Sequence, residues 1–305
     1  YRWRHMRPDK EVLGCFLMFL AGYLVGYMPF VVYAQELVSF PAAQTSSGSG
    51  SEKVEAIYSR PSTQNVGAKL PAIVLLHSAW GWSDEHEGTS NYAQALQKAG
   101  FATLELRMFP THGSAKTGGP AAYLPELFGS LNYLASNPDI DPKRIGVAGY
   151  SFGGLLALVA ATTWANKTYG KSGQQFAAHA PFYPICWVLK ANAQGRRSPV
   201  PTDAWMEWTG VPIRIFAGAI DDYDNRDPKS CEDAVKALPE SQQRVFSVKV
   251  YPEATHGWDQ KKGASFFEKL ACNGRGCNNT NQPNSQVADQ STKDLIEFMS
   301  SNLAR

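Results

Sequence analysis

The sequence has little charge and no surplus of either sign. Only 18% of its 305 residues are charged, 29 basic against 27 acidic. Arg2, Arg4, Arg7 and Lys10 outnumber Asp9 and Glu11 at the start, so the first 34 residues carry the net +2 and the rest holds 25 of each sign. A neutral body without a basic cluster argues against a nucleic-acid partner held through its phosphates. No segment repeats at a fixed period. What is present is globular: a 44% hydrophobic composition excludes a disordered chain, collagen or a coiled coil.

Charge is also missing from one long stretch. None occurs from Val12 to Ala34, and CFLMFLAGYLVGYMPFVV is almost wholly apolar. About 20 apolar residues cross a bilayer, so an uncleaved membrane anchor is one expectation. The basic start, Pro29 and the flank Val32-Tyr33-Ala34 fit another, a signal peptide cut before Gln35. Residues 1–34 therefore read as signal peptide or membrane anchor, possible membrane attachment running through residues 12–34. The domain is expected to be secreted or periplasmic, or anchored outside the cytoplasm. Cysteine is scarce. Cys15 lies in the leader, leaving Cys186, Cys231, Cys272 and Cys277. An even number in an exported chain suggests two disulfides, and four cysteines allow three pairings. Cys272 and Cys277 flank a short Asn/Gly loop and are close enough to pair locally. Cys186, ending one expected strand, and Cys231, beyond another, are placed to staple two loops. No metal site is expected, since C-x4-C without companions is a poor zinc pattern.

Residues 35–51 read as an N-terminal strand followed by the flexible Gly/Ser segment QTSSGSGS, a loose hairpin turn or a tether. Beyond them the signals alternate. The continuous apolar run Ala72–His77 is a strand buried on both faces. Further strands are expected at Phe101–Arg107, Arg144–Tyr150, Ala177–Ile185, Val211–Ala219 and Phe246–Glu253. Helices are expected at Asn91–Ala99, Ala121–Ser136, Phe152 to about Thr163, and Ser291–Leu303. No linker divides residues 52–305, so the pattern predicts one α/β domain, a mainly parallel sheet with helices on both faces. Met108–Pro125 and Trp187–Gly210 leave strands at their carboxyl ends, where ligands bind in such sheets, and are expected as pocket walls.

Gly149-Tyr150-Ser151-Phe152-Gly153 matches G-x-S-x-G between an apolar strand and an apolar helix, the context of a nucleophile elbow. The serine must sit exposed on a strained turn, and side chains at Gly149 and Gly153 would collide with the adjoining strand and helix. A serine hydroxyl needs a base oriented by an acid, which follow in the order Ser, acid, His. His179 lies inside an expected strand and reads as structural; His256, in a loop after the last strand, reads as the base. The acid should end the strand between them. Asp221 is favoured, Asp222 is the runner-up, and Asp224 and Asp227 read as a solvated acidic turn. DDYDNRD lacks calcium-loop ligand spacing. The oxyanion hole is expected from the N–H groups of Phe152 and of Ala79, or Trp80 in its place. Trp80 and Trp82 read as walls of an apolar acyl pocket. Tyr150, Trp187 and Trp258, beside these loops, complete the expected substrate-binding set.

NYAQALQKAGFATLELRMF, LNYLASNPDIDPKRIGVAGYSFGG, FYPICW, IFAGAIDDYD and YPEATHGWD together resemble landmark segments of the dienelactone hydrolase family of α/β-hydrolases. The resemblance spans roughly residues 52–305 and is most specific around the elbow. It implies an α/β-hydrolase fold with Ser151 as nucleophile, Asp221 as acid, His256 as base, and Ala79 and Phe152 as the hole. The cysteines of FYPICW and DPKSC resemble those of exported relatives, which implies Cys186–Cys231. Three departures shape the expected substrate. The namesake enzymes use a cysteine nucleophile, a glutamate where this chain has Ser78, and arginines where it has Thr111 and Gln260. A serine esterase acting on a neutral or apolar small-molecule ester, with no cofactor, is the expected function. A peptidase or amidase, or a non-catalytic binding protein, are the alternatives on the same fold.

Overall fold

The computed structural model describes residues 35–44, 53–61, 68–81, 88–109, 118–196 and 200–303. The leader call, residues 1–34, lies outside them. No helix among the described residues is long and apolar enough to cross a membrane.

Strands and helices alternate along the chain. They run β1 (Gln35–Pro41), β2 (Lys53–Ser59), β3 (Leu70–Leu76), α1 (Gly88–Lys98), β4 (Ala102–Arg107), α2 (Leu124–Ser136), β5 (Ile140–Tyr150), α3 (Phe152–Ala160), α4 (Thr163–Tyr169), β6 (Ala178–Phe182), α5 (Cys186–Ala193), β7 (Ile213–Gly218), α6 (Ser230–Lys236), β8 (Phe246–Tyr251), β9 (Ala264–Glu268) and β10 (Cys277–Asn281), then a C-terminal helix, Ser285–Asn302. The first eight strands form one sheet in the order β1-β2-β4-β3-β5-β6-β7-β8. β2 is antiparallel to both β1 and β4; the other pairs are parallel. The expected loose hairpin is therefore β1–β2, with Gln35 opposite Ser59 and Pro41 opposite Lys53.

A strand points successive side chains to opposite faces, and β3 shows why its run has no polar positions. Ala72, Val74 and Leu76 enter one core with α2, α3 and α5. Ile73 and Leu75 enter the other with α1 and the C-terminal helix. Both faces are covered, so Ile73, Val74, Leu75 and Leu76 each contribute ~1.5–3 kcal/mol by leaving water. The segment expected as one helix from Phe152 to about Thr163 is two. Thr162 breaks it, adopts extended backbone, and its hydroxyl accepts the N–H of Ala165 to start α4. Part of the stretch expected to be irregular, Trp187–Gly210, is helical: Cys186 opens α5 instead of ending a strand.

Candidate active site

β5 delivers Gly149-Tyr150-Ser151 to the carboxyl edge of the sheet, and α3 begins at the next residue. Ser151 sits at φ 53° and ψ −107°, a strained conformation that lifts its side chain out of the turn. The turn closes because nothing occupies two positions. A Cβ on Gly149 would lie 2.1 Å from the carbonyl oxygen of Gly153, and one on Gly153 would lie 2.3 Å from that of Leu76. β6 holds the elbow from the other side, where the N–H of Ser151 donates to Phe182 at 3.0 Å. The N–H of Phe152 stands at the first residue of α3, where a helix leaves its amides without internal acceptors.

Three distant residues meet here. His256 lies in the turn after β8, and its Nε2 is 2.8 Å from Ser151 Oγ. Its Nδ1 is 2.7 Å from Asp221 Oδ2, at the end of β7. Asp221 Oδ1 accepts the N–H of Tyr223 at 2.8 Å, which leaves Oδ2 to the imidazole. Hydroxyl, imidazole and carboxylate thus form one hydrogen-bonded row, able to take a proton from oxygen while charge builds on carbon-bound oxygen elsewhere. Asp222 is otherwise engaged: its carboxylate accepts Arg226 Nε at 2.7 Å and the N–H of Thr280 at 2.9 Å.

Aromatic rings pack against the imidazole of His256. Tyr183 packs edge-on against His256 at 4.8 Å between centroids, and Tyr223 lies against it at 4.2 Å. Tyr183 itself is strained, at φ 35°, and its hydroxyl donates to the buried Asp259 Oδ1 at 2.6 Å. Burial raises the pKa of Asp259. The loop is pinned further where Trp258 Nε1 donates to Ser291 Oγ at 3.1 Å.

Asp224 corrects one expectation. It is buried, not solvated, because it caps α5 from 38 residues away: it accepts the N–H groups of Cys186 and Trp187 at 3.0 and 2.7 Å, and Ser230 Oγ at 2.9 Å. Burial, then the nearby Asp221 charge, raise its pKa to about 6. Cys186 pairs with Cys231, joining α5 to α6, and Cys272 pairs with Cys277. Among the described residues one group has metal-like spacing, Cys186, Asp224 and Cys231. Its two sulfurs are bonded to each other and hold no thiolate for an ion.

The expected substrate-binding residues divide. Trp80 is 43% exposed after β3, and Ala79 is exposed in the tight turn where Gly81 N–H donates to the carbonyl of Ser78. Trp82 and Thr111 lie outside the described residues. Two others do not reach the cleft. Tyr150 points from β5 into the α1 face of the core, its ring tilted against Tyr92 and Phe182, and Trp258 is wholly buried against Tyr183 and Tyr251. Trp187 is a brace: its Nε1 donates to the carbonyl of Leu270 at 3.1 Å. His179 is structural as expected. It bonds the carbonyl of Ala157 at 2.9 Å, and burial lowers its pKa to about 4. His77, just before the Ala79 turn, accepts the N–H of Met108 at Nε2, so Nδ1 donates to the carbonyl of Ser78. Sequence reasoning missed Tyr183 and Tyr223 as neighbours of His256. Their ring positions depend on left-handed or turn backbone that no local pattern announces.

Several known proteins resemble this one. The sequence profile of the dienelactone hydrolase family matches residues 54–301. Protein usf of Aquifex pyrophilus is 20% identical over 210 residues, covering 65% of this chain and 80% of that protein. Est1E from Butyrivibrio proteoclasticus has a similar fold, with a TM-score of 0.56 at 16% identity over 88% of this chain and all of its own. The Pyrococcus furiosus esterase Pf2001 superposes with a TM-score of 0.54 at 14% identity, over 93% of this chain and 98% of its own. With the parallel sheet, the glycine-flanked serine turn and a profile match across most of the chain, this protein belongs to the dienelactone hydrolase family, on the α/β-hydrolase fold.

Proposed function

We propose that this protein is a serine esterase that cleaves neutral or apolar carboxylic esters through an acyl-enzyme. One observation carries the reading: His256 is hydrogen-bonded at both ring nitrogens, to Ser151 Oγ and to Asp221 Oδ2. Ser151 Oγ attacks the ester carbonyl carbon and its proton passes to Nε2. Nδ1 keeps its proton and donates it in a hydrogen bond to Asp221 Oδ2, which fixes the tautomer and offsets the charge of the imidazolium. The N–H groups of Phe152 and Ala79 receive the oxyanion. Nε2–H then protonates the leaving oxygen as the C–O bond breaks, and the alcohol departs. A water repeats the sequence on the acyl-enzyme, releasing the acid and restoring Ser151.

The substrate class follows from what surrounds the row. Trp80 offers an apolar wall next to the proposed donor Ala79. Gln260 is buried and accepts Asn281 Nδ2 at 3.3 Å, an amide pair with no charge for a substrate carboxylate. Two disulfides accord with the exported location expected from the leader. Purified protein should hydrolyse p-nitrophenyl acetate and butyrate, and a fluorophosphonate should label Ser151 alone. Ser151→Ala should lower kcat by at least ~10³-fold; full turnover in that variant refutes the scheme.

A further inference from the structure

The nucleophile is almost covered. Ser151 is 8% exposed, His256 3% and Asp221 2%. The β9–β10 hairpin is tied to the loops that carry Asp221 and His256, and the proposed reaction has no use for it. Its strands pair antiparallel, with Phe266 opposite Asn279 and Cys277 opposite Glu268. Its far end is fixed to the acid loop after β7. Cys272 N–H donates to the carbonyl of Asp222 at 2.8 Å and Asn273 N–H to that of Tyr223 at 3.0 Å, while Thr280 N–H, toward the open end of the hairpin, donates to Asp222 Oδ2 at 2.9 Å. The Cys272–Cys277 bond closes that end, and Trp187 supports it through Leu270. Its near end is fixed to the base loop, where Gln282 N–H donates to Thr255 Oγ1 at 2.8 Å and Asn284 N–H to the carbonyl of Trp258 at 2.8 Å.

From this double anchorage the hairpin reaches the opposite side. Phe266 meets Trp80 edge-to-face at 5.5 Å between ring centroids. Trp80 follows β3, whereas the anchors follow β7 and β8, and the order is β3-β5-β6-β7-β8. β5, which ends just before Ser151, and β6 lie between the two sides that this contact joins. Side chains alternate along a strand, so Phe267 points away; it is 65% exposed.

We propose that the β9–β10 hairpin caps the nucleophile and that Phe266 is its specificity-determining residue, selecting esters whose acyl group carries a flat apolar ring. Trp80 stands one residue from Ala79, the proposed donor to the carbonyl oxygen, so the wall it forms with Phe266 lies beside the acyl group. Two uncharged rings at right angles leave an aromatic acyl group a face and an edge to pack against. An acetyl group is too short to use either. The inference rests on the esterase reading above.

The test compares p-nitrophenyl 3-phenylpropanoate with p-nitrophenyl acetate, which share a leaving group, in wild type and in Phe266→Ala, Phe266→Leu and Phe267→Ala. Wild type should prefer the aromatic ester. Phe266→Ala should lower the ratio of kcat/KM values at least ~10-fold, through KM on the aromatic ester, and Phe266→Leu should lie between. Phe267→Ala, on the other face of the same strand, should keep the wild-type ratio; thermal midpoints check that each variant is folded. An unchanged ratio in folded Phe266→Ala, with Ser151 still labelled by a fluorophosphonate, overturns the cap and leaves the esterase standing. An equal loss in Phe267→Ala also overturns it, since that is a general loosening of the hairpin. A wild type neither labelled nor active overturns the esterase, and the cap with it.

Discussion

Tyr183 links two parts of the site by a single hydroxyl. Its ring lies against His256 and its O–H donates to Asp259, three residues further along the same loop. Asp259 Oδ2 has no hydrogen-bond partner among the described residues. Tyr183→Phe keeps the ring and removes a bond to a buried carboxyl, so it should cost ~1–3 kcal/mol of stability, read from the urea midpoint. A variant as stable as wild type would show that the bond carries nothing. The row Ser151, His256 and Asp221 was legible in the sequence because each member ends or follows a strand and chain order excludes His179. The choice of Asp221 over Asp222 rested on strand-end counting. The structure separates them chemically, since Asp222 spends its carboxylate on Arg226 and Thr280. Trp258 and Tyr150 misled because adjacency in sequence says nothing about facing: β5 sends neighbouring side chains to opposite sides of the sheet.

At the scale of elements, the strands followed from apolar runs to within about four residues, whereas the C-terminal helix begins six residues before the expected Ser291 and the helix expected from Phe152 to about Thr163 is split at Thr162. What escaped was built by distant partners. α5 has no local start signal; its first N–H groups find Asp224, and nothing near Cys186 in sequence hints at that. The β9–β10 hairpin carries Asn, Lys and Ser in place of an apolar alternation, and its register is fixed by bonds to Asp222 and Thr255. The two disulfides differ in reach. Cys186–Cys231 closes 45 residues and Cys272–Cys277 closes five. By the loop-entropy relation the first constrains the unfolded chain by about 4 kcal/mol and the second by about 2 kcal/mol. Replacing Cys186 and Cys231 with Ala should therefore lower the denaturant midpoint more than replacing Cys272 and Cys277. The reverse order would mean that the hairpin, and not α5–α6, carries the stability.

At the scale of the whole molecule, acid sensitivity follows from buried rings. His77 and His179 are held neutral by burial, with pKa values lowered from 6.5 to about 4. Between those values the unfolded chain takes up protons that the folded one refuses. Stability is full above pH 6.5 and is lost as pH falls toward 4, by up to ~3 kcal/mol for each ring. Asp224 acts oppositely: raised from 3.8 to about 6, it makes stability fall as pH rises between those values. Asp259, also raised by burial, acts as Asp224 does, so the rings' share of the drop in urea midpoint from pH 7 to pH 4.5 is read by removing one of them. In His179→Asn one ring's share is absent, and the drop should shrink; an equal drop would remove His179 from the account.

The imidazole between Tyr183 and Tyr223 bears on turnover in a way that distances alone do not express. A base wedged between two rings has no room to swing from one oxygen to the next. In the proposed reaction both half-reactions bring their oxygen to a stationary Nε2, the alcohol in the first and the water in the second. The incoming water therefore occupies the berth the alcohol has just vacated. A sluggish, bulky alcohol would then delay hydrolysis of the acyl-enzyme merely by lingering, and added alcohol should divert that intermediate into a new ester.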